Sequence, residues 1–461
     1  MSKTAKKELI GTEGMVLLDM IRRLNRRNAT ANILKLVSKT HPADLAWVIR
    51  HLSEDERVEV FNVIVQTERF GEFLSELDES IMISLVENLT PQFLADIIGD
   101  MPPDDAVDII DVLPDTFAAE IRKNMEKEEL EEVDDLLQYH PETAGGLMSP
   151  DFMYLDGELS VGEAIEKVQK RSEEKEMVFY LYITTHGDGK LAGVVSLREL
   201  LTNPAHRQLK NIMKANVLSV TTDTDQEEVA QVISKYNILA VPVVDAGYNL
   251  VGIVTVDDII DVMREEASEA FLQMAGAGKD TEILLKSTRN NALIRAPWLF
   301  ASWIGGIAAL FIIGSFEEEL SKVMALAAFI PIVMGMGGNI ATQSSTIVVR
   351  GIATGSINMN DFRKIVFKEL RVGLILGVLY GSFLGVLAYY GYAEPSLLGL
   401  VVGLSVFFSM AMAATIGTII PLLLKRFGID AAVATGPFVT TATDILGVLA
   451  YFTIAKFFLK L

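Results

Sequence analysis

The sequence predicts a multidomain chain: an α-helical superhelix at the N-terminus, a tandem pair of α/β units, and an all-α domain of five transmembrane helices. Three observations carry this. The 461 residues include 61 Asp and Glu against 40 Lys and Arg, a balance typical of a very soluble protein, yet half of the chain is hydrophobic. The conflict resolves when the chain is divided near residue 289. Residues 290–461 carry 11 basic and 8 acidic side chains, a net of +3, and residues 1–289 carry 29 and 53, a net of −24. Within the acidic half, one strand–glycine–helix pattern occurs twice, 59 residues apart.

Composition removes several functions. With no cysteine there are no disulfides, thiolate metal sites, Fe–S clusters or cysteine nucleophiles. The five histidines, at 41, 51, 140, 186 and 206, form no close pair, which argues against zinc. An acidic surface argues against nucleic acid and for cations. No nucleophile–base pair or phosphate loop occurs, so the chain does not read as an enzyme. The opening stretch, Met1 to Gly14, lacks the apolar core of a signal peptide, so the first half is expected to stay in the cytoplasm.

Residues 1–140 read as short amphipathic helices. His51-Leu-Ser-Glu-Asp-Glu, Asn88-Leu-Thr-Pro-Gln and Asp100-Met-Pro-Pro-Asp-Asp each place a capping residue or proline before apolar residues at helical spacing. Stacked hairpins of such helices make a superhelix.

Residues 141–205 and 206–264 contain the repeat. Leu191-Ala-Gly-Val-Val-Ser-Leu-Arg-Glu-Leu matches Leu250-Val-Gly-Ile-Val-Thr-Val-Asp-Asp-Ile. Leu159-Ser-Val-Gly-Glu-Ala matches Thr224-Asp-Gln-Glu-Glu-Val upstream, and Val241-Pro-Val-Val-Asp supplies another strand. The pattern resembles a tandem pair of CBS domains, regulatory modules that commonly sense nucleotides or ions.

Residues 265–290 are expected to form a helix connecting this pair to the membrane. Asp258, Asp261, Glu265 and Glu269 line one helix face at spacings of 3, 4 and 4, with Asp257 and Glu266 beside them and Arg264 as the cation of the run. Like charges so placed repel and call for counterions. A bound divalent ion and a solvated face with diffuse monovalent ions both answer this. Asp104 and Asp108, four apart on an N-terminal helix, could face the row.

In residues 291–461 five stretches are long and apolar enough to span: about 296–316, 323–349, 372–393, 395–424 and 431–455. Lys286, Arg289, Arg295, Arg350, Arg363, Lys364, Lys368, Arg371, Lys425 and Arg426 fall on one side if these alternate. Only Lys322, Lys456 and Lys460 fall on the other, with Glu317, Glu318 and Glu319. The bias places the N-terminal half in the cytoplasm and the C-terminus outside.

The second span contains Gly335-Met-Gly-Gly-Asn-Ile-Ala-Thr-Gln-Ser-Ser-Thr, which puts Asn339, Gln343 and Thr346 on one face. Small residues explain close packing, but an Asn and a Gln four apart suit a pore lining better. Asp444 is a carboxylate within a span, costing on the order of 3 kcal/mol, and such groups usually mark an ion path. Gly436-Pro-Phe-Val-Thr-Thr-Ala-Thr-Asp around it suggests a broken helix beside a cavity. Proton-coupled transport and cation conduction both fit. Oxygen ligands alone suit Mg²⁺.

Taken together, the chain resembles the MgtE family of magnesium channels over nearly its whole length. The matching runs are Glu142-Thr-Ala-Gly-Gly-Leu-Met, Thr222-Asp-Thr-Asp-Gln-Glu-Glu-Val-Ala, Gly252-Ile-Val-Thr-Val-Asp-Asp, Phe329 through Thr346, and Gly436 through Asp444. The resemblance implies a homodimer in the inner cell membrane with a helical N domain, two CBS domains, a connecting plug helix, five membrane helices and a pore at the dimer axis. It implies a Mg²⁺ channel closed by cytoplasmic Mg²⁺. Asp444, Gly337, Gly338 and Asn339 match its pore residues. Asp104, Asp108, Glu227, Asp258, Asp261, Glu266, Glu269 and, at the mouth, Asp430 match its regulatory Mg²⁺ ligands. Tyr180, Tyr182 and Arg198 match positions near an ATP site found in some members. Asn237, Ala270, Ala431 and the Ile340-Ala341 pair depart from common family residues. A proton- or sodium-coupled carrier of Mg²⁺ or Co²⁺, and a non-conducting membrane-anchored nucleotide sensor, are the other readings.

Overall fold

Prolines and small polar caps cut the N-terminal acidic region into short helices. The computed structural model describes residues 3–171, 179–185, 189–392, 397–434 and 436–460. His186 and residues 393–396, where two expected spans meet, lie outside the described residues. The chain divides into two compact units, Met1–Met263 and Arg264–Leu461.

The first unit opens with α1 (Lys3–Asn25), α2 (Thr30–Val37), α3 (Pro42–His51), α4 (Glu54–Ile64), α5 (Phe70–Ser75), α6 (Glu79–Val86), α7 (Pro91–Gly99), α8 (Pro103–Val112), α9 (Asp115–Asn124) and α10 (Lys127–Leu137). Two of the three expected starts carry side-chain caps, and the third relies on proline. Ser53 and Glu56 form a reciprocal capping box on α4, Thr90 accepts from the Phe93 amide at α7, and prolines occupy the first positions of α7 and α8. Phe61, Phe70 and Phe73 pack with centroids 5.6–6.4 Å apart in the core.

The repeat then folds twice in the same way. β1 (Tyr154–Asp156), α11 (Val161–Arg171), β2 (Tyr180–Thr184), β3 (Leu191–Ser196) and α12 (Leu197–Thr202) form the first copy. β4 (Val220–Thr221), α13 (Gln226–Tyr236), β5 (Ala240–Val244), β6 (Leu250–Thr255) and α14 (Val256–Met274) form the second. Each sheet has three strands, the first pair parallel and the second antiparallel. The repeated glycine has a physical reason: a Cβ on Gly193 would meet Met213 Sδ at 2.5 Å, and one on Gly252 would meet Met148 Sδ at 2.7 Å. Both strands need a bare backbone for a methionine to cross. Asn237 ends α13 with a left-handed φ of 51°, which Asn tolerates better than an acid would.

The connecting segment differs from expectation. The helix carrying the acidic row is continuous to Met274, but it stops there rather than running through 265–290. Gly276 (φ +69°) and Gly278 (φ +98°) adopt left-handed backbone that no α-helix contains. Turns follow until Ser287 caps the next helix.

The second unit consists of α15 (Thr288–Gly314), the short α16 (Glu317–Lys322), α17 (Ala325–Ala353), α18 (Phe362–Gly391), α19 (Leu398–Arg426) and α20 (Pro437–Leu459). Five of these are long and apolar enough to cross a membrane, so the chain is a multi-pass membrane protein. α15, α17 and α18 extend beyond the apolar stretches at the ends bearing Arg289, Arg350 and Arg363, because charged residues continue a helix past the hydrocarbon. The last span begins later than residue 431: Ala431–Ala434 is a 3₁₀ turn, and α20 starts at Pro437. α19 is the most buried span, with α17, α18 and α20 around it. α18 meets α19 through Gly373, Gly377, Gly381 and Gly385 facing Gly399, Gly403 and the Phe407 and Met410 carbonyls.

Candidate functional site

α17 has two unlike faces. Gly337, Ile340, Ala341, Ser344, Ser345 and Val348 are buried, whereas Gly335, Asn339, Gln343 and Thr346 are exposed. Gly337 is a packing residue, since a Cβ there would lie 2.8 Å from Ser409 Oγ of α19. Gly338 has nothing within 4 Å on its side-chain side and leaves open space beside Asn339. Gly447 of α20 faces the same Ser409 hydroxyl, with a Cβ–Oγ separation of 3.2 Å. Three residues earlier on α20 is Asp444, half-buried. The shared serine therefore sets the polar run of α17 and the carboxylate of α20 at one level of the bundle. Thr440 and Thr443 donate to carbonyls of their own helix, Gly436 O at 3.2 Å and Val439 O at 2.9 Å, and Asp444 is the charged oxygen group of this stretch.

Where α17 ends and α20 begins, the end of α14 closes over the bundle. Ala270 and Met274 pack with Val349, Ile352, Ala431 and Ala432. The Gln273 carbonyl and Gly276 Cα lie 3.5 Å from where a Cβ on Gly436 would be. Asp430 is exposed at this mouth, with Oδ1 accepting the Ala432 amide at 2.9 Å. Glu269 pairs with Lys279 at 3.7 Å.

In the first unit, Asp108 is within Coulombic reach of Asp105, Asp258, Asp111 and Glu79. Desolvation by the groups packed around it, and then these like charges, push its carboxyl up to about 7, although the residue as a whole keeps solvent exposure. Asp104 Oδ1 accepts from Ser149 Oγ at 3.3 Å, and Asp258 accepts from the Thr255 hydroxyl that precedes α14. Glu227 is in the first turn of α13, its amide held by Asp225 at 2.9 Å. Asp261 is exposed and Glu266 half-buried on α14. Among the described residues, no three Asp, Glu or His side chains converge closely enough to hold a metal ion. Of the expected ligands, Asp108 and Asp258 are thus within reach of each other's charge, and no coordination shell is assembled among the described residues.

This strain has a sign. A carboxyl raised in the folded state binds its proton more tightly there than when unfolded, so stability falls as pH rises from about 4 to about 7 and stays low above. In divalent-free detergent solution near pH 8, Asp108→Asn should raise the thermal midpoint, by the equivalent of about 1–2 kcal/mol after discounting for solvent screening. Near pH 5 the gain should shrink. A variant that melts below the parent at the higher pH contradicts this electrostatic account.

The expected nucleotide residues are separated in role. Tyr182 is 2 % exposed, its ring edge-on to Phe152 at 6.3 Å in the core between the two sheets, and burial pushes its phenol up. Its hydroxyl has no hydrogen-bond partner among the described residues. Tyr180 is half-buried and Arg198 is exposed on α12.

Two acids are buried in ways the sequence did not reveal. Glu369 is 7 % exposed on α18 and accepts from Ser344 Oγ at 2.9 Å. Glu319, 5 % exposed, accepts from Lys456 Nζ at 2.6 Å and ties α16 to α20. The signal for Glu369 was its place four residues before Gly373, at the head of the glycine stripe.

Comparison with known proteins places these features. The family model described as "Divalent cation transporter" (MgtE) matches residues 330–454, that of the "MgtE intracellular N domain" matches 40–142, and CBS domains match 144–206 and 209–265. The chain is 31% identical over 424 residues to the magnesium transporter MgtE of Bacillus subtilis, covering 92% of this chain and 93% of that one. It is 32% identical over 436 residues to the magnesium transporter MgtE of Thermus thermophilus, covering 94% and 96%. Among solved structures, the cytosolic domain of the Mg²⁺ channel MgtE in complex with ATP aligns with a TM-score of 0.50 and 28% identity, covering 53% of this chain and 99% of that one.

Proposed function

The chain belongs to the MgtE family of divalent cation transporters, and from that membership we propose that it conducts Mg²⁺ into the cytoplasm through a homodimeric pore closed by cytoplasmic Mg²⁺. The observation that carries the reading is the open polar face of α17, Gly338, Asn339, Gln343 and Thr346, level with Asp444 of α20. Amide and hydroxyl oxygens with one carboxylate suit an ion that keeps most of its waters. A polar face exposed within the hydrocarbon is costly, and a second copy laid against it would cover it and enclose a path.

Closure follows from the acids. Asp104, Asp108, Glu227, Asp258, Asp261, Glu266, Glu269 and Asp430 are the ligands. Asp108 favours any cation that joins it, because it is held among like charges. Bound Mg²⁺ would draw acidic surfaces together and hold the end of α14 over Gly436 and Pro437. The relative crystallised with ATP suggests nucleotide binding at the CBS pair, with Tyr180 and Arg198 accessible to it. The first half is cytoplasmic and the C-terminus outside, by the distribution of basic residues.

Protein reconstituted in liposomes should admit Mg²⁺ down its gradient, and millimolar Mg²⁺ on the side of the acidic half should stop it. The same Mg²⁺ should protect the acidic half from protease. Flux that ends when a proton gradient is collapsed at constant membrane potential would assign a coupled carrier instead. Flux indifferent to Mg²⁺ on both sides would remove the switch.

A further inference from the structure

We propose that Glu369 is a positioning residue for the ion pathway: its hydrogen bond from Ser344 fixes the rotation of α17 and keeps Asn339, Gln343 and Thr346 on the open face. The proposal rests on the transport reading of that face.

Along the first turns of α18, Arg363, Lys364, Lys368 and Arg371 all point outward, and Glu369 alone among these charged residues is turned into the bundle. A carboxylate buried inside the helix bundle is costly, and a leucine at the same position would pack without that cost. The next three inward positions of this helix, Gly373, Gly377 and Gly381, are bare. Faces built of small residues bring backbones close but specify rotation weakly, whereas one buried polar pair specifies it strongly. Ser344 is 2 % exposed and its neighbour Gln343 is open, so the two sides of the helix are one residue, about 100°, apart. The other buried polar bonds to α17, from Ser409 to the Val333 carbonyl at 3.4 Å and from Tyr451 to the Leu326 carbonyl at 2.8 Å, hold its earlier turns, so losing the Ser344 bond frees the stretch beyond them to turn and moves the oxygens of Asn339 and Gln343 relative to Asp444. Ser345, fully buried with its hydroxyl unpartnered among the described residues, gives no competing polar lock on this face.

The chain contains no cysteine, so single thiols report helix rotation without background. In the full-length protein in liposomes, Gln343→Cys should react quickly with a charged, water-soluble methanethiosulfonate and Ser345→Cys slowly. Adding Glu369→Ala should raise labelling of Ser345→Cys relative to Gln343→Cys by about tenfold. Ser344→Ala, which removes the donor and leaves the carboxylate, should give the same shift, and combining it with Glu369→Ala should add nothing further. Glu369→Gln retains an acceptor and should keep both the labelling pattern and the Mg²⁺ flux. Unchanged labelling in both alanine variants overturns the proposal, as does a Glu369→Gln variant that behaves like Glu369→Ala. If the labelling shifts as expected but the parent protein carries no Mg²⁺, the transport reading fails and the helix lock stands.

Discussion

Asp444→Ala is expected to reduce Mg²⁺ flux by about a hundredfold while leaving a folded, membrane-inserted protein. One carboxylate facing a hydrated divalent ion in a medium of reduced dielectric is worth on the order of 3 kcal/mol, and each 1.4 kcal/mol is about tenfold in occupancy. Asp444 is half-buried beside the Gly447–Ser409 approach, and packing of α20 depends on neighbours such as Val439, Thr443 and Val448, which are buried. Asp444→Asn separates the two contributions, because it keeps shape and loses charge. It should conduct nearly as poorly as the alanine variant. Initial rates of Mg²⁺ entry into dye-loaded liposomes measure this, and parental rates in either variant would remove Asp444 from the pathway.

Gly381→Leu is expected to abolish the folded membrane domain. A Cβ at Gly381 would lie 2.5 Å from the Gly403 carbonyl oxygen, and one at Gly385 would lie 2.7 Å from the Gly399 carbonyl oxygen. Both obstacles are backbone, so neither helix relieves the clash by rotating a side chain. Overpacking of this kind costs about 3 kcal/mol or more, and in a membrane no hydrophobic gain between helices offsets it. Gly391→Leu on the same helix is the control, since nothing lies within 4 Å of its side-chain position. Thermal unfolding and monodispersity in detergent should separate the two variants widely. Similar midpoints would show that α18 and α19 pack less tightly than these distances require.

Much of the architecture was legible in the sequence because it is written in local patterns. Spans announce themselves by uninterrupted apolar length, the duplication by a glycine recurring in register between two strands, and the short N-terminal helices by their prolines and caps. What was not legible depends on neighbours distant in sequence. Glu369 precedes the apolar stretch beginning near Val372, so hydropathy set it in a loop, whereas the fold turns it inward onto Ser344. Tyr182 matches a position near the nucleotide site of some family members, but here the meeting of two sheets makes it core. The acidic row was readable as one helix face, yet spacing along a helix says nothing about the angles at which carboxylates from other elements arrive. The described residues accordingly contain no closed ligand shell. The residues proposed for the pore were readable as residue types, but only packing distinguished Gly337, pressed on Ser409, from Gly338, which is open.

The two left-handed glycines after Met274 act mechanically as a joint. A continuous helix from the acidic row into α15 would transmit twist and tilt directly to a membrane span. With the helix broken at Gly276 and Gly278, the α14 end is coupled to the bundle through side-on contacts, at Val349, Ile352, Ala431 and Gly436, rather than through a continuous helix axis. On the proposed reading of closure, such a device would work as a latch on the bundle rather than a lever through it.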